Sequence, residues 1–172
     1  MTTSDALNVY NGAPDRYEWK LIGREERIIP YNAYRLSSAD TKLDSLVTPK
    51  HLNPEYTRHE PHRVWIVEGT LKPGARHIYA KRRFYVDEDS WFIVASTLHD
   101  SSGNVWRVQE GHLINYWDVQ SCNEVATTIH DLRSGTYFVD ALKNETSPIN
   151  FNPTGVSDDR YTPAALRDIG TR

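Results

Sequence analysis

The sequence predicts a mainly β chain, an antiparallel sheet of about seven or eight strands accompanied by one or two short helices. Residues 62–107 carry the prediction. They alternate β-branched, aromatic and apolar runs with short breaks: HRVWIVEGTL, KPGA, RHIYAKRRFYV, DEDS, WFIVASTLHD, SSGN and VWRV. Breaks rich in Pro, Gly, Asp and Ser between such runs are the signature of consecutive hairpins. A second pattern of the same kind joins 124–131 to 136–142 across LRSG, and helical periodicity is confined to two short stretches.

In chain order, YEWKLIGREERIIPY (17–31) reads as two short strands around Gly23 or one bent strand, closed by Pro30. Ser38 is placed to cap a helix over 39–47, where Leu43, Leu46 and Val47 fall at i, i+3 and i+4. Residues 48–61 hold three prolines and form a connector. Central strands follow over 62–72, 76–86, 91–99 and 104–112, then a strand over 113–119. From 144 to 161 the chain is rich in Asn, Pro, Ser, Asp and Gly and reads as an extended tail. Thr162 caps a last helix of about two turns, with Pro163 at its first position and Gly170 at its stop. The chain is thus a single domain, 1–172, with a tail over 144–172 that ends in a short helix.

Turn length sets register, and register decides which side chains share a face. Four residues in each of the first two central turns would pair Leu71 with Arg76 and Val86 with Trp91, and six in the third would pair Leu98 with Val105. One face then collects Trp65, Val67 and Gly69, with Ile78, Arg82, Phe84 and Val86. It continues through Trp91, Ile93 and Ala95 to Trp106, Val108 and Glu110. Such a face is large, aromatic and almost wholly apolar, suited to a core or a greasy ligand. Its polar members are Arg82 and Glu110, two strands and about 10 Å apart. Arg82 would lie across from Trp65, where a guanidinium can stack on the indole. A buried charge is costly unless paired, so a structural Arg82–Glu110 ion pair is expected, with a ligand-headgroup role for Arg82 as the other reading.

Composition narrows the function. Of 172 residues, 38% are hydrophobic and 25% charged, the balance of a globular domain able to bury a core. A net charge of −3 with scattered Lys and Arg gives no footprint for nucleic acid. The single cysteine, Cys122, excludes an internal disulfide and reads as an ordinary, partly buried thiol. The N-terminus lacks the basic and apolar regions of a signal peptide, and no run has membrane-spanning length.

Candidate chemistry is sparse. His59-Glu-Pro-His62 has i, i+3 spacing with Pro61 inside it, whereas a metalloprotease motif places its histidines at i, i+4 on a helix. Together with His51 these read as connector histidines, with a surface metal site as the other reading, and Asp87-Glu88-Asp89 reads as a solvated acidic turn ahead of a calcium site. His77, His99, His112 and His130 fall near strand ends with no serine or cysteine nucleophile beside them. Nucleophile-elbow, phosphate-loop and dinucleotide motifs are absent from the sequence. No metal site, cofactor or catalytic residue is assigned.

The run HRVWIVEGTLKPGARHIYAKRRFYVDEDSW (62–91) resembles the most distinctive segment of a bacterial family of unknown function, whose members are described as outer-membrane lipoprotein-sorting proteins. YNGAPDRYEWKLIGREE (10–26), PYNAYRL (30–36), HLNPEY (51–56), DLRSGTYFV (131–139) and YTPAALRDIG (161–170) are similar to the same family, in order. The closing helix here, with Arg167-Asp168-Ile169, is less basic than the family's. Typical members are over twice as long and begin with a signal peptide, so the chain resembles their C-terminal portion. The resemblance implies a LolA/LolB-like fold, a strongly curved antiparallel sheet forming an unclosed barrel plugged by helices. It also implies residence in the periplasm or at the outer membrane.

Two functions are expected from this. The first is a non-enzymatic binder of lipid or lipoprotein acyl chains, or of another hydrophobic ligand, in outer-membrane lipoprotein sorting or hydrophobe transport beside envelope components. Its ligand face would be Trp65, Val67, Ile78, Arg82, Phe84, Trp91, Ile93, Trp106, Val108 and Glu110. The second is an enzyme acting on a hydrophobic small molecule through a histidine–carboxylate pair such as His112 with Glu110. Helices this short would leave the aromatic face uncovered and the sheet edges open, so self-association is expected as well.

Overall fold

The structure, a computed structural model, describes residues 2–147, 149–151, 154 and 156–170. Seven strands form one antiparallel sheet in sequence order, β1 to β7, which does not close into a barrel. They are β1 (Tyr17–Pro30), β2 (His59–Leu71), β3 (Lys81–Asp87), β4 (Ile93–His99), β5 (Val105–Tyr116), β6 (Ser121–Asp131) and β7 (Thr136–Asp140). The helices are α1 (Leu43–Leu46) and α2 (Pro163–Gly170), with single 3-10 turns at Pro14–Arg16 and Asp158–Tyr161.

The order of strands is the one the turns predict, but several boundaries move. β1 is one strand bent by a bulge between Leu21 and Gly23. The runs expected at 104–112 and 113–119 are one strand, β5, with a bulge at His112/Leu113 where they join. The helix expected over 39–47 shrinks to the single turn α1, which begins after Lys42 without a side-chain cap. α2 starts at Pro163 as expected, and Thr162 Oγ1 accepts from Ala165 N at 3.2 Å.

The largest correction concerns the second central strand. Residues 76–79 do not join the ladder, and β3 starts at Lys81. Tyr79 is the cause. It is buried, accepts a hydrogen bond from Arg107 Nη1 at its hydroxyl (2.7 Å) and one from Tyr17 OH at its carbonyl (3.0 Å). Drawing Tyr79 into the core takes its neighbours off the strand and leaves Ile78 half exposed.

Register then sorts the faces. Trp65, Val67 and Gly69 oppose Val86, Phe84 and Arg82, so these six share a side as expected. A bulge at Tyr85/Val86 breaks the sorting, because Phe84 pairs with Ser96 and Arg82 with Leu98. One extra residue flips every following side chain. Ser96 and Leu98 lead on to Gln109 and Arg107, while Ala95 and Thr97 lead to Glu110 and Val108 on the opposite side. The aromatic face expected from the sequence is therefore split between two faces.

Each face has its own cover. Residues 3–19 lie over the first: Tyr10 and Trp19 pack on Phe84, and Val9 is fully buried. Residues 31–57 lie over the second, where Ala33, Leu36, Leu46 and Leu52 pack on Ile114, Val125 and Ala126. The β1–β2 ribbon runs on past β3 and folds over β5, where Ala33 N donates to Leu113 O at 2.8 Å. The uncovered aromatic face expected from the short helices is thus absent, since the N-terminal segment covers it. β1 and β7 keep open edges. On β1 the exposed Leu21, Ile22 and Ile28 are interleaved with charged residues, which disfavour edge pairing.

The Trp19 ring sits over Gly69, the residue opposite it on β2. A Cβ at position 69 would lie 2.6 Å from Trp19 Cζ3. Gly69→Ala is expected to dislodge the indole from its stack on Phe84 and to cost about 1–3 kcal/mol. Urea denaturation checks this, with an unchanged midpoint counting against the packing.

Candidate functional site

The residues expected to form one ligand wall are dispersed. Trp91 lies in the β3–β4 turn at positive φ and is 68% exposed. Asp87 makes that turn, its Oδ2 accepting from Ser90 N (2.8 Å) and Ser90 Oγ (2.6 Å), so β4 begins at Ile93. Trp65 is stacked by Arg24, whose guanidinium lies 5.2 Å from the ring, and not by Arg82. Trp106 donates from Nε1 to Asp131 Oδ2 (3.0 Å) and lies under the guanidiniums of Arg107 and Arg133. Val67 and Phe84 face the N-terminal cover, whereas Val108 and Glu110 face the other way.

Arg82 is fully buried, as expected, but its partners are different. Its Nη2 donates to Asp5 Oδ2 at 2.5 Å and its Nε to Tyr17 OH at 3.1 Å. The rings of Tyr10, Tyr17 and Tyr79 surround the guanidinium at 5.0–5.2 Å. Burial raises the pKa of all three tyrosines, with the Arg82 charge opposing it. With Asp5 already on it, Arg82 serves as an internal brace that fastens the N-terminal segment to the sheet. Glu110 takes no part in it.

Two of the cavities among the described residues combine apolar walls with titratable side chains. The first is a cleft of about 440 Å³ between residues 37–39, the facing ends of β5 and β6, and residues 141–146 and 149–151. Asn144 builds it by donating from Nδ2 to the carbonyls of Leu36 (2.8 Å) and Ser38 (2.9 Å). Ala39, Tyr116, Val125, Ala141, Ile149 and Phe151 give an apolar lining, with the Phe151 ring 4.8 Å from that of Tyr116. Exposed Lys143 is the cation in its wall, and Glu124 its acid. Burial raises the Glu124 pKa to about 7 against the hydrogen bond from Thr127. Its Oε2 has no hydrogen-bond partner and fills the space a side chain at Gly111 would take.

The second cavity, about 390 Å³, lies under the 31–57 cover among His51, His59, Glu110, His112, Thr128 and His130. His112 Nε2 stands 3.9 Å from Glu110 Oε2, too far for a hydrogen bond. Burial lowers the His112 pKa to about 4, helped by His59 and His130. Periodicity on β5 places 110 and 112 together, but only the folded-over ribbon brings His59 to them. The cleft residues Ile149 and Phe151 were hidden in what reads as a tail.

The chain that forms this bulged, doubly covered sheet has known relatives. Residues 1–167 match the family described as "Protein of unknown function (DUF1329)", and the chain belongs to that family. It is 47% identical over all 172 residues to the uncharacterized protein PA3922 of Pseudomonas aeruginosa and spans 38% of that protein's length. Among crystal structures it is similar to a DUF1329 family protein from Desulfovibrio piger, at 15% identity and TM-score 0.46, covering 88% of this chain and 48% of that one. It is also similar to a "putative outer membrane lipoprotein-sorting protein domain" from Vibrio parahaemolyticus, at 11% identity and TM-score 0.49, covering 92% of this chain and 51% of that one. Among the described residues no helix is long and apolar enough to cross a membrane.

Proposed function

We propose that the protein is a non-enzymatic component of the cell envelope that binds lipid or lipoprotein acyl chains, or a comparable hydrophobic ligand. The cleft walled by Tyr116, Val125, Ile149 and Phe151 carries this reading, and its volume falls in the range of small-ligand pockets. Each buried methylene contributes about 0.8 kcal/mol. Lys143, in the same wall, suits an anionic headgroup, the role that the sequence offers Arg82 only as a second reading. Placement in the periplasm or at the outer membrane, and a part in lipoprotein sorting or hydrophobe transport, rest on the resemblance of residues 62–91 and the other matching segments. The unpaired His112 and Glu110 give less support to acid–base catalysis, because their 3.9 Å separation leaves the base unoriented.

The test is titration of the 172-residue chain with a fluorescent fatty acid, followed by displacement with unlabelled palmitate. Saturable binding is expected, weakened about tenfold by Ile149→Asp and by Phe151→Ala, a loss of about 1.4 kcal/mol. Binding that neither substitution changes would move the ligand elsewhere, and no saturable binding would end the proposal for this part of the protein.

A further inference from the structure

We propose that the histidine-lined cavity is a binding site for a divalent transition-metal ion, with His112 and His59 as its principal ligands and Glu110 and His130 completing the set. His112 is the central observation. It is 1% exposed, yet neither ring nitrogen has a hydrogen-bond partner. Buried polar groups are almost always satisfied, so two orphaned nitrogens on one ring bordering a cavity point to a missing partner. Thr128 Oγ1, in the same wall, is buried and unpartnered as well.

The surrounding groups supply what a cation needs. The His59 ring stands edge-on to His112 with centroids 6.2 Å apart, about 1 Å farther than two imidazoles on one tetrahedral ion, so a modest movement of the His59 ring would let both share it. The Glu110 carboxylate is 3.9 Å from His112 Nε2, and His130 lies on β6 beside Thr128, the residue opposite Glu110. Imidazole with one carboxylate suits Zn²⁺, Cu²⁺ or Ni²⁺ over Ca²⁺ or Mg²⁺, which take oxygen ligands. His59 is exposed and free to turn inward, and closing the set about the ion requires that turn.

A tighter group of potential ligands exists at His62, Asp87 and Asp89, whose donor atoms lie within 4.8 Å of one another. Two of its three members are already used. His62 Nδ1 is 2.9 Å from Asp87 Oδ1, and Asp87 holds the turn through Ser90. That group is the internal control.

Calorimetric titration with Zn²⁺ at neutral pH, together with the visible absorption of the Co²⁺ form, tests the site on the full chain. One ion per chain is expected, with a Co²⁺ spectrum showing nitrogen ligation. His59→Ala and His112→Asn should each weaken Zn²⁺ binding about tenfold or more, while Asp89→Asn leaves it unchanged. If His112→Asn does not fold, His59→Ala and Glu110→Gln decide. Loss of binding in Asp89→Asn with none in His59→Ala would assign the ion to the turn and overturn the proposal, as would absence of stoichiometric binding.

Discussion

Replacing Arg82 with Ala is expected to destabilise the fold by about 3–5 kcal/mol, the cost of leaving one member of a buried ion pair behind. The Asp5 carboxylate would lose its 2.5 Å partner at a site where its own side chain is only 16% exposed. Tyr10, Tyr17 and Tyr79 would face an empty space in place of a planar cation. Because Asp5 and Tyr10 belong to the segment that covers the sheet, that segment should detach first. Arg82→Leu combined with Asp5→Leu should recover much of the loss, whereas Arg82→Leu with Glu110→Leu should not. Urea midpoints of the three variants distinguish the cases. A parental midpoint in Arg82→Ala would show that the guanidinium is not buried, and rescue through Glu110 would show that the partner is misassigned.

The second large effect is a pH dependence set by Glu124. Its folded pKa, about 7, lies above the 4.5 of an unperturbed glutamate. Between those values the folded chain holds a proton that the unfolded chain has released, so stability falls as pH rises from about 4.5 to 7 and is level above. Over that window the loss is about 3 kcal/mol at 1.36 kcal/mol per unit. Glu124→Gln keeps the shape and an acceptor for Thr127 but cannot ionise. The variant should match the parent near pH 4.5 and exceed it by up to about 3 kcal/mol above pH 7. Denaturation curves for both proteins across this range provide the measurement, and parallel pH profiles would mean that Glu124 is solvated. The same carboxyl borders the apolar cleft, so below about pH 7 its neutral form leaves that wall uncharged.

Most of the topology was legible because it depends on local chemistry. Pro, Gly, Asp and Ser breaks mark every central turn, and hairpin neighbours in sequence become sheet neighbours in the order β1 to β7. Burial of Arg82 was legible too, since a cation that shares a face with Trp65, Phe84 and Val86 is enclosed along with them. The membership of its face beyond β3 was not, because one bulge at Tyr85/Val86 exchanges Ala95 and Glu110 for Ser96 and Gln109. No pattern of alternation announces a bulge in advance, since both faces of β4 carry plausible core residues.

By itself, then, the sequence determined the antiparallel order of the strands, the family, the short C-terminal helix and a buried Arg82. Tertiary structure decided what those parts enclose. It supplied Asp5, 77 residues away in the chain, as the partner of Arg82, and placed the N-terminal segment over the aromatic face expected to hold a ligand. It brought His59 to His112 across the folded ribbon and made a cleft from Tyr116, Val125 and a segment that reads as a tail. The division has one physical reason. Turn chemistry and strand periodicity are local and can be read from adjacent residues, whereas pairing of charges, cover of faces and closure of cavities depend on where distant segments come to rest.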